Sequence, residues 1–401
     1  MLLTLTTRYF RSYQNFSRAT WLNILAVFIM SFGLMMSSIF SLFLNQQHVT
    51  LSMISWIVAI GGGGGVLGSY LCGVVAKRVS ATRIAQVALV GFTLTMLLFP
   101  WVHSITGFFI LNFLSSFWSG VFRPANNIML FTHAPVQEHS RVMALNRVAF
   151  NLGLACATTI GTWLAAIHFS LFFLFSAGMS LLSAIILFRY NKLLDVPLVK
   201  SVAAKESVTP IRRDFGIKYS FLLLCLLFFG YNMMFNQTRM AYVLFLENSY
   251  QLSIHQIGVL FMINFILILL VEVPLMTRFT LARQSFLAMW GSLLVGLGMF
   301  VLPFGHSPAF AALSFFLWSC GEILASSAFY VLSVRLVDEQ VKSFYIGLFH
   351  SVFSAALVLS PLAGGALYPL HRGFILWGSC GILATVMVYG FRSLQRSNPD
   401  I

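Results

Sequence analysis

The sequence predicts an all-α integral membrane protein with twelve spanning helices arranged as two six-helix halves. Three observations carry that prediction: composition, the segmentation of the apolar runs, and the placement of basic residues. Of 401 residues, 59% are apolar and 8% are charged, against about 25% charged in a soluble domain. A water-exposed surface of ordinary composition cannot be built from such a chain.

A spanning helix needs about 20 mostly apolar residues. The polar and turn-forming stretches divide the chain into twelve such runs, near 19–44, 52–76, 84–102, 105–131, 142–167, 169–188, 219–246, 254–276, 284–304, 308–334, 343–369 and 374–391. The first run is longer than a signal-peptide core and lacks a small-residue cleavage site, so it reads as a retained span. The longest polar interruption sets the domain boundaries: an N-terminal bundle over 1–188, a basic linker over 189–218, and a C-terminal bundle over 219–401.

With the termini cytoplasmic, 20 of the 24 Lys and Arg residues fall in inside segments, seven of them in the linker; Arg372 alone lies in an outside loop. The positive-inside rule therefore supports an even number of spans with both termini inside. The net charge of +14 is an orientation signal and requires no nucleic acid. Cys72, Cys156, Cys225, Cys320 and Cys380 each sit within an apolar run, as packing residues rather than disulfides or metal ligands. Trp21, Trp101 and Trp377 fall near span ends and read as interfacial anchors.

The halves repeat. At a shift of 201 residues Leu51-Ser52 meets Leu252-Ser253, Lys77 meets Arg278, and Gly120 meets Gly321; at 203, Gly161 meets Gly364. Two parallel six-helix repeats joined by a basic linker are a recurring plan of secondary transporters, with substrate bound near the midplane. In the second span Gly61, Gly65, Ser69 and Gly73 recur every four residues, flanked by Gly68. They make a ridge for close helix approach or, as the other reading of five consecutive glycines, a bending point.

Ionisable residues within spans are functional candidates, because a charge at the bilayer centre costs at least about 2.5 to 3.5 kcal/mol. Glu322 lies roughly 20 Å into the tenth span at 1.5 Å per residue. There it is either a desolvated proton-coupling carboxylate or a structural one locked to a neighbouring hydroxyl or Arg. Arg239 closes the most polar stretch of any span, with Tyr231, Asn232, Asn236 and Gln237 before it. It either docks an anion or carbonyl-bearing substrate or snorkels to the interface. Arg147 in the fifth span and Glu272 in the eighth form a candidate inter-bundle latch, or snorkel separately. Arg123 reads as an interface anchor; His350 reads as a structural residue, with a proton relay as the alternative.

Family resemblance enters on four segments. GVVAKRVSATR, Gly73 to Arg83, resembles the loop 2/3 gating motif of the major facilitator superfamily. It keeps Gly73, Arg78 and Arg83, with Lys77 where the family has Asp and Ser80 where it has Gly. The Gly-Glu segment beginning SCGEILASS at Ser319 looks like bacterial drug exporters. NLGLACATTIG, Asn151 to Gly161, looks like the antiporter signature with its Gly-Pro replaced by Ala157-Thr158; SPLAGG supplies Pro361, Gly364 and Gly365 in the eleventh span. Together they are similar to a facilitator that moves a small organic solute by alternating access, coupled to protons and without ATP hydrolysis.

The resemblance implies efflux across a bacterial cytoplasmic membrane by a monomer whose partners are lipid, solute and protons, without cofactor or metal. Proton-coupled uptake of a metabolite, peptide or siderophore-like compound stays open. A membrane-embedded transferase is the remote alternative, since the short, nearly bare outside loops and the inside loops carry no catalytic constellation.

Overall fold

The computed structural model describes residues 16–135, 138–194, 219–272, 284–337 and 342–397; these are helical throughout their regular elements, with no strand among them. The helices are α1 (Arg18–Ser31), α2 (Met36–Gln46), α3 (Leu51–Val75), α4 (Ala81–Leu98), α5 (Ile105–His133), α6 (His139–Ile167), α7 (Phe169–Arg189) and the short α8 (Asn191–Leu194). They continue with α9 (Tyr219–Phe235), α10 (Ala241–Asn248), α11 (Ile254–Leu267), α12 (Gln284–Phe300), α13 (Pro308–Arg335), α14 (Lys342–Leu367) and α15 (Phe374–Ser397).

Among the described residues, eleven helical segments are long and apolar enough to cross a membrane. The expected first span supplies the remaining crossing as two pieces, α1 and α2, separated by a 3-10 turn at Gly33–Met35. The break has a local cause. The Ser31 hydroxyl donates to the Val27 carbonyl at 2.7 Å, a back-bond that bends helices. Gly33 then passes so close to α7 that a Cβ there would lie 3.3 Å from the Ser176 carbonyl oxygen.

The repeat is visible element by element. α4 ends in a 3-10 turn at Phe99–Trp101 and α12 in one at Leu302–Phe304, each with a proline inside. Ser104 and Ser307 then cap the next helices, α5 and α13, accepting from the Gly107 and Phe310 amides. These caps satisfy amide groups that helix starts leave orphaned, and they fix the entry of the helix that carries Glu322.

By packing, the described residues form two compact units. One comprises those within Met1–Met35, Gly64–Leu164 and His168–Thr209; the other those within Met36–Gly63, Ala165–Ile167 and Pro210–Ile401. Most of the proposed 189–218 linker lies outside the described residues. In the first unit Ser183 of α7 donates to the Ala26 carbonyl of α1, and Ser180 to the Leu89 carbonyl of α4. The Phe99 and Phe173 rings stack at 4.6 Å. Hydroxyl-to-carbonyl bonds of this kind join helices where lipid offers no hydrogen-bonding alternative.

The glycine run of the second span packs on α5 through Gly64 and Gly68 together with Gly65 and Ser69 of the expected ridge. A Cβ on Gly64 would sit 2.5 Å from the Phe113 carbonyl oxygen of α5, and one on Gly68 2.1 Å from that of Phe117. Gly65 takes part from the other side, its oxygen lying 2.2 Å from a Cβ built on Gly120. Ser69 adds a hydroxyl bond to the Gly120 carbonyl at 3.0 Å. Gly61 and Gly161 are buried, whereas Gly73, exposed, faces open space.

In the second unit α12 and α13 meet through Gly291 and Gly321. A Cβ on either would lie within 2.7 Å of the other's carbonyl oxygen. Trp377 is fully buried against Phe245 and Tyr242, so it is a core residue and not an interfacial anchor. Trp21 and Trp101, by contrast, are exposed. Leu94, Ile185, Leu226 and Ile382 lie exposed on the outward faces of their helices; surfaces this apolar mark a lipid boundary. Cys72, Cys225 and Cys380 are buried and all five thiols are free of disulfides.

Candidate functional site

Two polar constructions interrupt the apolar interior of the second unit. The first is a break in the seventh span. α9 stops at Phe235, a 3-10 turn runs over Asn236–Arg239, and Met240 leaves the helical region before α10 begins. Side-chain chemistry dictates the break. The amides of Asn232, Asn236 and Gln237 donate to the carbonyls four residues back, those of Phe228, Asn232 and Met233. The Thr238 hydroxyl donates to the Phe235 carbonyl at 2.7 Å. These bonds compete with the backbone ladder for the same acceptors.

Gln237 also reaches α14, where its Nε2 donates to the Ser360 carbonyl at 2.9 Å and to the Ser360 hydroxyl oxygen at 3.0 Å. That hydroxyl in turn donates to the Met233 carbonyl at 2.9 Å. A Cβ on Gly364 would lie 2.3 Å from Gln237 Oε1, so only glycine leaves room for this amide. Pro361, inside α14, removes the amide that the Leu357 carbonyl would accept from. The same carbonyl faces Gly62 of α3, where a Cβ would lie 2.9 Å away. Gly365 packs on Ser55.

Asn236 Oδ1 and Gln237 Oε1 are buried acceptors without a hydrogen-bond partner. A buried unsatisfied group of this kind costs about 1–3 kcal/mol. Arg239 is half-buried at the end of the turn, and its carbonyl accepts from Ser41 of α2 at 3.3 Å. Tyr231 is buried, stacked on Phe235 at 5.8 Å and near the Phe329 ring. Sequence-predicted residues Tyr231, Asn232, Asn236, Gln237, Arg239, Pro361 and Gly364 thus share one junction between α9, α10 and α14.

The second construction is centred on Glu322, the fifteenth residue of the 28-residue α13 and half-buried. Asn264 of α11, 1% exposed, donates from Nδ2 to Glu322 Oε2 at 3.0 Å and to Ser319 Oγ at 3.0 Å. Ser326 donates to the Glu322 backbone carbonyl at 2.7 Å. Just after Asn264 the helix changes to a π turn over Ile268–Glu272, an irregularity that clusters at functional sites. Asn264 gave no sequence signal, being one neutral amide in a strongly apolar run.

A second carboxylate was also missed. Glu247 lies in the last turn of α10, and its Oε2 accepts from Asn45 Nδ2 of α2 at 2.8 Å. Burial raises its carboxyl above the ordinary range, and the Asn45 bond partly opposes that shift. A raised folded-state carboxyl favours folding at low pH and loses that advantage as pH rises through the folded value. Glu247→Gln is therefore expected to raise the unfolding temperature in detergent at pH 8, with the gain vanishing toward the acid side of the ordinary carboxyl range. A gain of equal size at both ends would contradict the assignment.

Lys77, Arg78 and Arg83 are exposed around the turn between α3 and α4. Arg147 is exposed on α6, within the first unit; Glu272 ends the π turn of the second, and its side chain lies outside the described residues. Arg123 lies with its guanidinium 4.9 Å from the Phe150 ring centroid. His350 and Tyr330 have ring centroids 5.9 Å apart. Among the described residues, no group of three His, Cys, Asp or Glu is placed to hold a metal.

An all-helical body of repeated apolar spans, with a discontinuous helix and a mid-span carboxylate, defines a multi-pass membrane transporter of the secondary class. The chain belongs to the Major Facilitator Superfamily, whose family model matches residues 23–361. It is 22% identical over 290 residues to an uncharacterized MFS-type transporter of Methanocaldococcus jannaschii, covering 69% of this chain and 72% of the relative.

Solved structures share the fold at low identity. A peptide transporter POT in complex with sulfate aligns with TM-score 0.74 and 14% identity over 96% of this chain and 95% of its own. A nucleoside transporter, NupG, aligns with TM-score 0.75 and 13% identity, covering 94% of this chain and all of its own (100%). A POT family transporter in complex with 5-aminolevulinic acid aligns with TM-score 0.74 and 15% identity, over 96% and 97% of the two chains.

Proposed function

We propose that this transporter is proton-coupled and exports a small organic solute by alternating access, with Glu322 carrying the proton. The observation that supports this most is the placement of one carboxylate at mid-span, half-buried and hydrogen-bonded to a buried Asn. Around a group so placed, protein rather than water governs proton binding. The seventh-span break, with Arg239 and the amides of Asn232, Asn236 and Gln237 beside Tyr231, is the proposed solute-docking element.

Export is favoured by the resemblance of Gly321-Glu322 to drug exporters. Cytoplasmic termini in a bacterial inner membrane are favoured by the 20 basic residues on one side, and the repeat favours bundles at 1–188 and 219–401. A second reading, proton-coupled uptake of a small metabolite, peptide or siderophore-like compound, rests on the antiporter signature's replacement of Gly-Pro by Ala157-Thr158; structural neighbours named as peptide and nucleoside transporters make those solutes candidates.

The test is flux in proteoliposomes under an imposed proton gradient, across amphiphilic cations, dipeptides and nucleosides. One class is expected to move with the gradient, its direction separating export from uptake. In Glu322→Gln, gradient-driven flux is expected to fall at least about tenfold while solute exchange without a gradient persists. An unchanged pH dependence in that variant would remove Glu322 as the coupling group.

A further inference from the structure

We infer that Asn264 is the positioning residue that sets the proton affinity of Glu322, and that Ser319 fixes which face of the Asn264 amide the carboxylate meets. The inference rests on the reading of Glu322 as the proton-carrying group and adds the residues that control it.

An asparagine amide can present either a donor, Nδ2, or an acceptor, Oδ1, to a neighbour. The two choices have opposite consequences. A donor stabilises an ionised carboxylate, which only accepts; an acceptor stabilises the protonated form, which donates. The orientation of Asn264 is decided one step further along the chain of bonds. Ser319 donates its only hydroxyl hydrogen to the Phe315 carbonyl at 2.7 Å. Toward Asn264 it is left with lone pairs alone, so the amide must turn its NH2 group to Ser319. The same nitrogen then supplies its second hydrogen to Glu322 Oε2. The order Asn264 to Ser319 to Phe315 is thus directional, and it holds a donor against the carboxylate.

Asn264 has little freedom to do otherwise. It is 1% exposed, and its own backbone carbonyl accepts from the Ile268 amide at the entry to the π turn. On the other side, the backbone contact of Gly321 with Gly291 holds α13 at fixed depth against α12. Carboxylate and amide are therefore presented by two braced helices.

Titratable residues on the elements packed against α13 are Tyr219, Cys225 and Tyr231 of α9, Tyr242 and Glu247 of α10, His255 at the start of α11, Lys342, Tyr345 and His350 of α14, and Cys380, Tyr389, Arg392 and Arg396 of α15. Glu272 follows on the π turn, with its side chain outside the described residues; α12 carries none, and α13 itself adds Cys320, Tyr330 and Arg335. Asn264 itself does not titrate, so it presents the same donor to the Glu322 carboxylate at every pH.

The experiment is an infrared pH titration of the purified protein in lipid, following the protonated-carboxyl C=O stretch that disappears in Glu322→Gln. In Asn264→Leu, similar in volume but without a donor, the midpoint of that band is expected to rise by about one pH unit or more. Ser319→Ala, a smaller change, frees the amide to turn and is expected to move the midpoint the same way by less. An unmoved midpoint in both variants, or a shift to lower pH, overturns the inference. So does a wild-type band that fails to titrate between roughly pH 4 and 10. If the midpoint moves as expected while gradient-driven flux is indifferent to Glu322→Gln, the proton-coupling function falls and the role of Asn264 stands.

Discussion

Gly68→Leu is expected to eliminate the folded protein, whereas Gly73→Leu, five residues further along α3, leaves it intact. The contrast follows from what each Cβ would meet. At Gly68 it would lie 2.1 Å from the Phe117 carbonyl oxygen, 3.0 Å from the carbonyl carbon and 3.1 Å from the Val121 amide nitrogen. All three are backbone atoms, so no rotamer change relieves the overlap. Overpacking a core commonly costs about 1–3 kcal/mol when side chains can adjust; here α3 and α5 must separate.

Separation also breaks the Ser69 bond to Gly120 and opens the reciprocal glycine contact between Gly65 and Gly120. Gly73 has nothing within 4 Å of its Cβ position, and replacing a helical glycine there recovers up to about 1 kcal/mol of helix propensity. Size-exclusion yield and unfolding temperature in detergent read both variants. Gly68→Leu protein that is recovered and unfolds at the wild-type temperature would refute the close-approach account.

The sequence exposed most strongly the features that oppose their surroundings. Glu322 was legible because a carboxylate in an apolar run is costly, and the seventh-span break because Asn232, Asn236 and Gln237 cluster there. Twelve apolar runs follow from hydropathy alone. What hydropathy does not register is geometry within an apolar run. The 3-10 turn at Gly33–Met35 interrupts a stretch as hydrophobic as its neighbours, because Ser31 and a close approach to α7 act through backbone atoms.

The glycine ridge was visible as a composition, and Gly65, Gly68 and Ser69 lie in the contact with α5, but Gly64 was not singled out and Gly73 meets open space, since glycine carries no side chain to signal which face packs. Asn264 and Asn45 were missed for another reason. Asn264 is one neutral amide in an apolar run and Asn45 one of three in the polar stretch Asn45-Gln46-Gln47; the importance of each comes from the carboxylate opposite, 58 and 202 residues away in sequence. Trp377 looked like an anchor because it lies at a span end; the rings of Tyr242 and Phe245 instead enclose it.

Gly364→Ala and Gln237→Ala are expected to be strongly non-additive. The methyl that Gly364→Ala adds would sit 2.3 Å from Gln237 Oε1. A flexible side chain normally retreats from such a contact at little cost, but the Gln237 amide is held by the Ser360 carbonyl, the Ser360 hydroxyl and the Met233 carbonyl. Displacing it strands buried polar groups on α14, at about 1–3 kcal/mol each, and loosens the turn that ends α9. Gly364→Ala alone should therefore lower the unfolding temperature and reduce transport at least about tenfold, if the seventh-span break docks the solute. On the Gln237→Ala background the same methyl enters vacated space and should cost almost nothing in stability. The coupling energy of this double-mutant cycle is expected to exceed about 1 kcal/mol, within the range for contacting residues. Transport separates the two roles of Gln237. If the amide only fills space, the double variant recovers flux along with stability; if it docks solute, stability returns and flux does not.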